Sequence, residues 1–175
     1  MRSLTLIGMP GSGKSAVGRI IAARLGCDFV DTDRCIEKRQ GVLLQALIDR
    51  VGDEAFRRIE EQAILDLKVS VPTVISTGGS VVYSEAAMRH LAAISIVVFL
   101  DAPMEAIRSH IDSEAPRGII GMREGGLQEL YLDRLPRYRR YASVTVEIGS
   151  DNPEEAATKV LTELGKAEHP FLTVR

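Results

Sequence analysis

Residues 8–15 read Gly8-Met9-Pro10-Gly11-Ser12-Gly13-Lys14-Ser15, which fits the spacing G-x-x-x-x-G-K-[ST]. Glycines at these positions let the backbone wrap so that successive N–H groups converge on one point. That concavity suits a multiply charged phosphate. Lys14 is placed to reach the β- and γ-phosphates of a nucleotide, and the Ser15 hydroxyl to hold Mg²⁺. ATP is therefore expected on Gly11, Ser12, Gly13, Lys14, Ser15 and Ala16. Gly11-x-Gly13-x-x-Ala16 also fits the dinucleotide fingerprint G-x-G-x-x-[GA], with an acid about twenty residues on at Asp31 or Asp33. An oxidoreductase would leave Gly8 and the Lys14-Ser15 pair without a task. It would also need a second buried strand from the short stretch 28–30.

Other residue types able to do chemistry follow along the chain. Asp31 and Asp33 lie at the end of an apolar stretch, and in an extended chain alternate residues point the same way. One is suited to holding Mg²⁺ through water and the other to accepting a proton from a substrate hydroxyl. The plainer reading is an acidic turn capping the next helix. Arg57 and Arg58 precede Glu60 and Glu61. One guanidinium there would clamp a substrate carboxylate with two parallel hydrogen bonds, unless the run is a solvated face with helix-spaced pairs such as Arg57–Glu61. Thr77-Gly78-Gly79-Ser80 permits close backbone approach to a ligand, or is simply a tight turn. Arg117, Arg123, Arg134, Arg137, Arg139 and Arg140 make a basic stretch. Arg117 is placed to reach over the phosphates as a loop closes; most of the others read as a basic surface.

Alternating apolar strands and amphipathic helices must position these groups. The apolar run 4–8 predicts a buried strand. From Lys14 a helix follows, with Val17, Ile20, Ile21 and Leu25 at helical spacing, and it aims its positive end at the glycine loop. Residues 27–30 predict a short strand, 34–40 a helix ended by Gly41, 42–51 a second helix stopped at Gly52, and 53–67 a longer one. Residues 74–76 predict a strand, 85–93 a helix capped by Ser84, and 94–100 a central parallel strand. Asp101 is expected to cap a helix over 103–110. Residues 112–126, with Pro116 and several glycines, read as a mobile lid. A helix over 127–141, a strand over 144–148 and a helix over 153–164 complete the pattern. The fold class is α/β: a three-layer α/β/α P-loop kinase fold with a central parallel sheet of about five strands. Ligands in such sheets bind at the carboxyl ends of the strands, where all the groups above are expected.

At 175 residues, with 45% apolar and 26% charged residues, the chain is expected to form one domain over 1–175. The lid spans about 112–126 and a substrate-binding segment about 33–61. A net charge of −2 gives no general attraction to nucleic acid or anionic membranes. The absence of Trp removes one stacking platform for single strands. Cys27 and Cys35 suggest reduced thiols. No apolar run approaches a membrane span, and the first residues lack a signal-peptide pattern. A cytoplasmic location is expected, with no nucleic-acid or membrane partner.

Taken in order, four stretches resemble the shikimate kinase family of nucleoside-monophosphate-kinase-like P-loop enzymes. They are residues 8–15; Phe29-Val30-Asp31-Thr32-Asp33 with Ile36-Glu37; Phe56-Arg57-Arg58-Ile59-Glu60-Glu61; and Thr77-Gly78-Gly79. A fifth, Asp133-Arg134-Leu135-Pro136-x-Tyr138, is similar to the family's Arg-x-Pro-x-Tyr helix, and the likeness runs over about 3–165. It implies ATP-dependent phosphorylation of the 3-hydroxyl of shikimate, in aromatic amino acid biosynthesis, by a monomer. Asp33 would bind the shikimate hydroxyls and orient the nucleophile. Arg57 and Arg134 would clamp the carboxylate, Glu60 would brace Arg57, and Gly78 and Gly79 would line the pocket. Lys14 and Arg117 would neutralise the transferring phosphoryl, while Ser15 and Asp31 would hold Mg²⁺. His110 and Asn152 would lie near adenine, although a surface helix position and a plain N-cap are the simpler readings of each.

The chain departs from the family pattern at Ser80, which follows Gly78-Gly79, at the lid Arg117-Gly118-Ile119-Ile120, at His110, where the family carries an arginine, and in the insert 121–127. These departures bear on the acceptor more than on phosphoryl transfer. A gluconate or homoserine kinase and a non-catalytic nucleotide-binding module are the alternatives.

Overall fold

The computed structural model describes residues 2–113, 119–121, 126–149 and 151–166. Five strands alternate with helices: β1 (Ser3–Ile7), α1 (Lys14–Leu25), β2 (Asp28–Asp31), α2 (Thr32–Gln40), α3 (Leu44–Leu65), β3 (Thr73–Ser76), α4 (Glu85–Ile94), β4 (Ser95–Asp101), α5 (Met104–Ser113), α6 (Gly126–Tyr141), β5 (Val144–Glu147) and α7 (Pro153–Lys166). The strand order is β2-β3-β1-β4-β5, and every pairing is parallel.

The order follows from burial. β4 has the most continuous apolar sequence, as a strand covered on both faces requires. β1 takes the middle of the sheet between β3 and β4, with Leu4 paired to Val74 on one side and Ile96 on the other. The shorter and more polar β2 and β5 take the edges. Leu6, Ile7, Ile75, Val97 and Phe99 form the main core with Ile21, Leu91 and Val160 from the flanking helices. The Phe99 ring stacks on Tyr138 with centroids 5.0 Å apart, fixing α6 to the centre of the sheet.

A second, smaller core lies apart from the first. It joins Ile36 of α2 to Leu47, Ile48 and Phe56 of α3 and includes Ile120. The expected substrate segment 33–61 is built on this cluster.

Several expectations change. α2 begins at Thr32, so Asp33 lies in a helical first turn, and Asp31 and Asp33 do not share one side of an extended chain. The stop expected at Gly52 is found: its non-helical backbone (φ 77, ψ 167) divides the stretch Leu44–Leu65 into two helices. Glycine reaches that backbone conformation at no steric cost. Asp101 ends β4 and pairs with Arg139 at 3.3 Å, and no described N–H of α5 donates to it. A 3₁₀ turn over Val81–Tyr83, absent from the sequence reading, links β3 to α4. Within the expected lid, α5 continues to Ser113 and Ile120 is buried at 4% exposure. Residues 114–118, including Arg117, and 122–125 lie outside the described residues. Cys27 and Cys35 are free thiols. Among the described residues no helix is long and apolar enough to cross a membrane.

Candidate active site

The phosphate loop joins β1 to α1 and passes over the end of β4. A Cβ on Gly8 would stand 2.8 Å from the Leu100 carbonyl oxygen and 3.0 Å from Ser12 Oγ, so no side chain fits there. Gly13 caps α1 with a left-handed backbone and no side-chain hydrogen bond. The first N–H groups of the helix therefore remain available to an anion. Lys14 is 7% exposed and folds back over the loop, donating to the Gly8 carbonyl at 2.9 Å and the Met9 carbonyl at 2.7 Å. Burial lowers its ammonium to about 8. Asp33 opposes the shift, Arg134 adds to it, and Asp31 and Glu60 oppose it more weakly. An arriving polyphosphate would supply the anion that favours the charged amine.

The Ser15 hydroxyl donates to Asp31 Oδ2 at 2.7 Å and lies 3.1 Å from Ser76 Oγ. The other Asp31 oxygen caps α2, accepting from the N–H groups of Asp33 at 3.1 Å and Arg34 at 3.3 Å. Asp31 thus caps α2, the plainer of the readings the sequence offered, and also lies beside the loop serine. No group of three His, Cys, Asp or Glu able to hold a metal occurs among the described residues. Mg²⁺ bound with a nucleotide keeps several waters and takes phosphate oxygens. One hydroxyl and one nearby carboxylate therefore fit it.

Beside the loop, the end of β3 runs into Thr77-Gly78-Gly79. A Cβ on Gly78 would collide with Glu60 Oε1 and lie 2.8 Å from Asp33 Oδ1. One on Gly79 would lie 2.8 Å from Pro10 Cδ and 2.9 Å from an Arg134 guanidinium nitrogen. The Gly78-Gly79 turn thus packs between the phosphate loop at Pro10 and the side chains of Glu60, Asp33 and Arg134. Glu60 is 2% exposed, and its Oε1 is buried without a hydrogen-bond partner. Burial pushes its carboxyl up to about 7, and Asp33 adds to the shift. Ser80, Arg134 and Arg57 offset part of it. Arg134, 1% exposed, donates to the Ile120 carbonyl at 2.6 Å, and Tyr138 donates to the Gly79 carbonyl at 2.7 Å.

The structure separates the two adjacent arginines. Arg58 lies at the surface and pairs with Glu54 at 2.5 Å. Arg57 turns inward, its guanidinium carbon 4.0 Å from the Tyr83 ring centroid and its Nε buried without a hydrogen-bond partner. The expected surface pair Arg57–Glu61 does not form; Glu61 accepts from Ser84 Oγ at 2.5 Å. A pocket of about 280 Å³ opens here, bounded by Arg57, Tyr83, Gly121, Glu129, Leu130, Asp133 and Arg137.

Lys14, Ser15 and Asp31 thus gather on one side, and Asp33, Arg57, Glu60, Gly78, Gly79 and Arg134 on the other. Ala16 sits in the first turn of α1. His110 is exposed on α5, with Nδ1 2.8 Å from the Gly11 carbonyl oxygen. Asn152 forms a reciprocal cap with Glu155, accepting from the Glu155 N–H at 3.0 Å while Glu155 accepts from its own N–H at 3.1 Å. Tyr83 and Asp133 were not singled out as functional by sequence, because a tyrosine in a turn and an aspartate beside arginines carry no spacing signal.

A loop shaped for phosphates beside a cluster of buried and half-buried arginines and carboxylates is the arrangement of a P-loop small-molecule kinase, where donor and acceptor must meet. Comparison with known proteins narrows that class. A family model described as shikimate kinase matches residues 10–165. The chain is 41% identical to the shikimate kinase of Paracidovorax citrulli over 82% of this chain and 81% of that protein. It is 37% identical to that of Thermobifida fusca over 93% and 94%. It superposes on the shikimate kinase of Acinetobacter baumannii in complex with shikimate with a TM-score of 0.87, at 28% identity, covering 97% of this chain and 96% of that one. The chain belongs to the shikimate kinase family.

Proposed function

We propose that the protein transfers the γ-phosphoryl group of ATP to the 3-hydroxyl of shikimate, giving shikimate 3-phosphate for aromatic amino acid biosynthesis. The observation that carries this reading is Arg57: a guanidinium stacked on Tyr83, hydrogen-bonded to no described residue, lining a pocket with Tyr83 and Arg137. An inward-facing Arg with an open donor edge suits a planar carboxylate. The shikimate bound to the Acinetobacter baumannii relative supports the choice of acid.

In this reading the amides of Gly11 to Ala16 grip the triphosphate. Lys14 leaves the Gly8 and Met9 carbonyls for the β- and γ-phosphate oxygens. Ser15 and Asp31 would hold Mg²⁺, which would supply positive charge against the phosphates. Arg57 and Arg134 fix the acid, Glu60 braces Arg57, and Gly78 and Gly79 admit the ring closely. Asp33 orients the acceptor hydroxyl and is placed to take its proton. Arg117 covers the transferring group, and His110 and Asn152 approach the adenine side. Rate then comes from positioning and charge neutralisation. The enzyme acts as one domain and a cytoplasmic monomer, without nucleic-acid or membrane partners.

A coupled ADP-release assay with shikimate beside gluconate and homoserine tests this. Turnover confined to shikimate is expected. Preference for another acid would reassign the substrate, and no ADP release with any acid would favour a nucleotide-binding module.

A further inference from the structure

We infer that Tyr83 is a positioning residue for the acid pocket: its ring holds the Arg57 guanidinium by the face and so keeps the hydrogen-bonding edge open for the substrate carboxylate. This rests on the reading of Arg57 as the carboxylate clamp.

Tyr83 closes the 3₁₀ turn that follows Gly78-Gly79-Ser80, so it is fixed to the wall of the pocket itself. The Tyr83 N–H donates to the Ser80 carbonyl at 3.0 Å, and Val81 and Val82 beside it are buried in the main core. On its other side Ser84 caps α4 through the Ala87 N–H at 3.0 Å and donates to Glu61 of α3. The ring therefore has little freedom to move.

Three guanidinium groups converge on that ring. Their central carbons lie 4.0 Å (Arg57), 5.0 Å (Arg137) and 5.3 Å (Arg134) from its centroid. The Tyr83 hydroxyl donates to Asp133 Oδ2 at 2.6 Å and lies 3.4 Å from Arg134 Nε. Arg137 also approaches Asp133, at 3.5 Å. Asp133 thus engages Arg137 and the tyrosine hydroxyl, and no described carboxylate forms an ion pair with Arg57.

The physical point is the choice of partner. A carboxylate ion-paired with the in-plane donors of Arg57 would occupy what a substrate carboxylate needs; Glu60, close enough to feel the Arg57 charge, forms no ion pair with it. An aromatic face stabilises the cation through its quadrupole and uses only the face of the planar group. Arg57 is thereby oriented by its face, and its buried Nε has no hydrogen-bond partner among the described residues.

The test compares the full-length wild type with Tyr83→Phe and Tyr83→Leu. Losing the ring should raise the KM for shikimate roughly tenfold, about 1.4 kcal/mol, while the KM for ATP stays within about twofold. Tyr83→Phe keeps the ring and should remain within about threefold of wild type in the acid KM. An equal rise in both KM values, an acid KM unmoved in the Leu variant, or a Phe variant as impaired as Leu would overturn the inference. If the wild type does not use shikimate, the function above fails but the ring–guanidinium contact is still measurable. In ¹H–¹⁵N spectra the Arg57 side-chain N–H should be shifted upfield by the ring and should return to the ordinary position in Tyr83→Leu. An unshifted wild-type resonance would refute the contact whatever the substrate, and would still do so if the Leu variant failed to fold.

Discussion

Replacing Glu60 by Gln should stabilise the protein at alkaline pH and not at acid pH. Glu60 is 2% exposed, and burial, with Asp33 nearby, raises its carboxyl from 4.5 to about 7. The folded chain therefore keeps a proton that the unfolded chain releases between about pH 4.5 and 7. In that window wild-type stability falls as pH rises, and above it the cost of the buried carboxylate is fully present. At about 1.4 kcal/mol per pH unit the cost reaches roughly 3 kcal/mol. Gln has nearly the same shape and no charge to desolvate. The stability difference between Glu60→Gln and wild type should be small near pH 4 and grow to roughly 3 kcal/mol near pH 8. Urea unfolding of both proteins at several pH values, with equal m-values, measures it. A difference that is flat with pH, or that favours wild type at pH 8, would refute the assignment of Glu60 as a buried, charge-strained carboxyl. The arginines that partly offset the cost, Arg134 and Arg57, are those assigned to the acid clamp. The site accepts lower stability to keep an anion beside them.

Lys14→Ala should lower turnover by roughly a hundredfold or more, because a buried cation aimed at the phosphates is lost, while circular dichroism shows the fold retained. Near-normal turnover would remove Lys14 from the mechanism. Arg57→Ala should raise the KM for shikimate far more than that for ATP; an equal effect on both would count against the clamp. Gly78→Ala should weaken shikimate at least about tenfold, since its Cβ would collide with Glu60 Oε1 and crowd Asp33. Unchanged kinetics would show that this wall is not against the substrate.

The phosphate loop and the order of strands and helices were legible in the chain because both depend on local rules. The loop is a run of consecutive residues whose backbone needs glycine, and the strands and helices declare themselves by period. The interior place of β4 follows from an apolar run with no polar face. What the sequence could not fix was orientation. Residue type alone offered Arg57 and Arg58 equally, and only the family resemblance pointed to Arg57; packing of α3 on its own small core turns Arg57 inward and leaves Arg58 paired with Glu54. It treated Asp31 and Asp33 as alternate residues of an extended strand. The helix began earlier, so Asp31 became the cap beside Ser15 while Asp33 went to the Gly78 side. Tyr83 carried no signal at all. Its role depends on arginines far away in sequence reaching one ring, and such convergence exists only once the sheet has brought α3 and α6 together. Local spacing determined where a phosphate would bind; the meeting of distant side chains determined which acid could sit beside it.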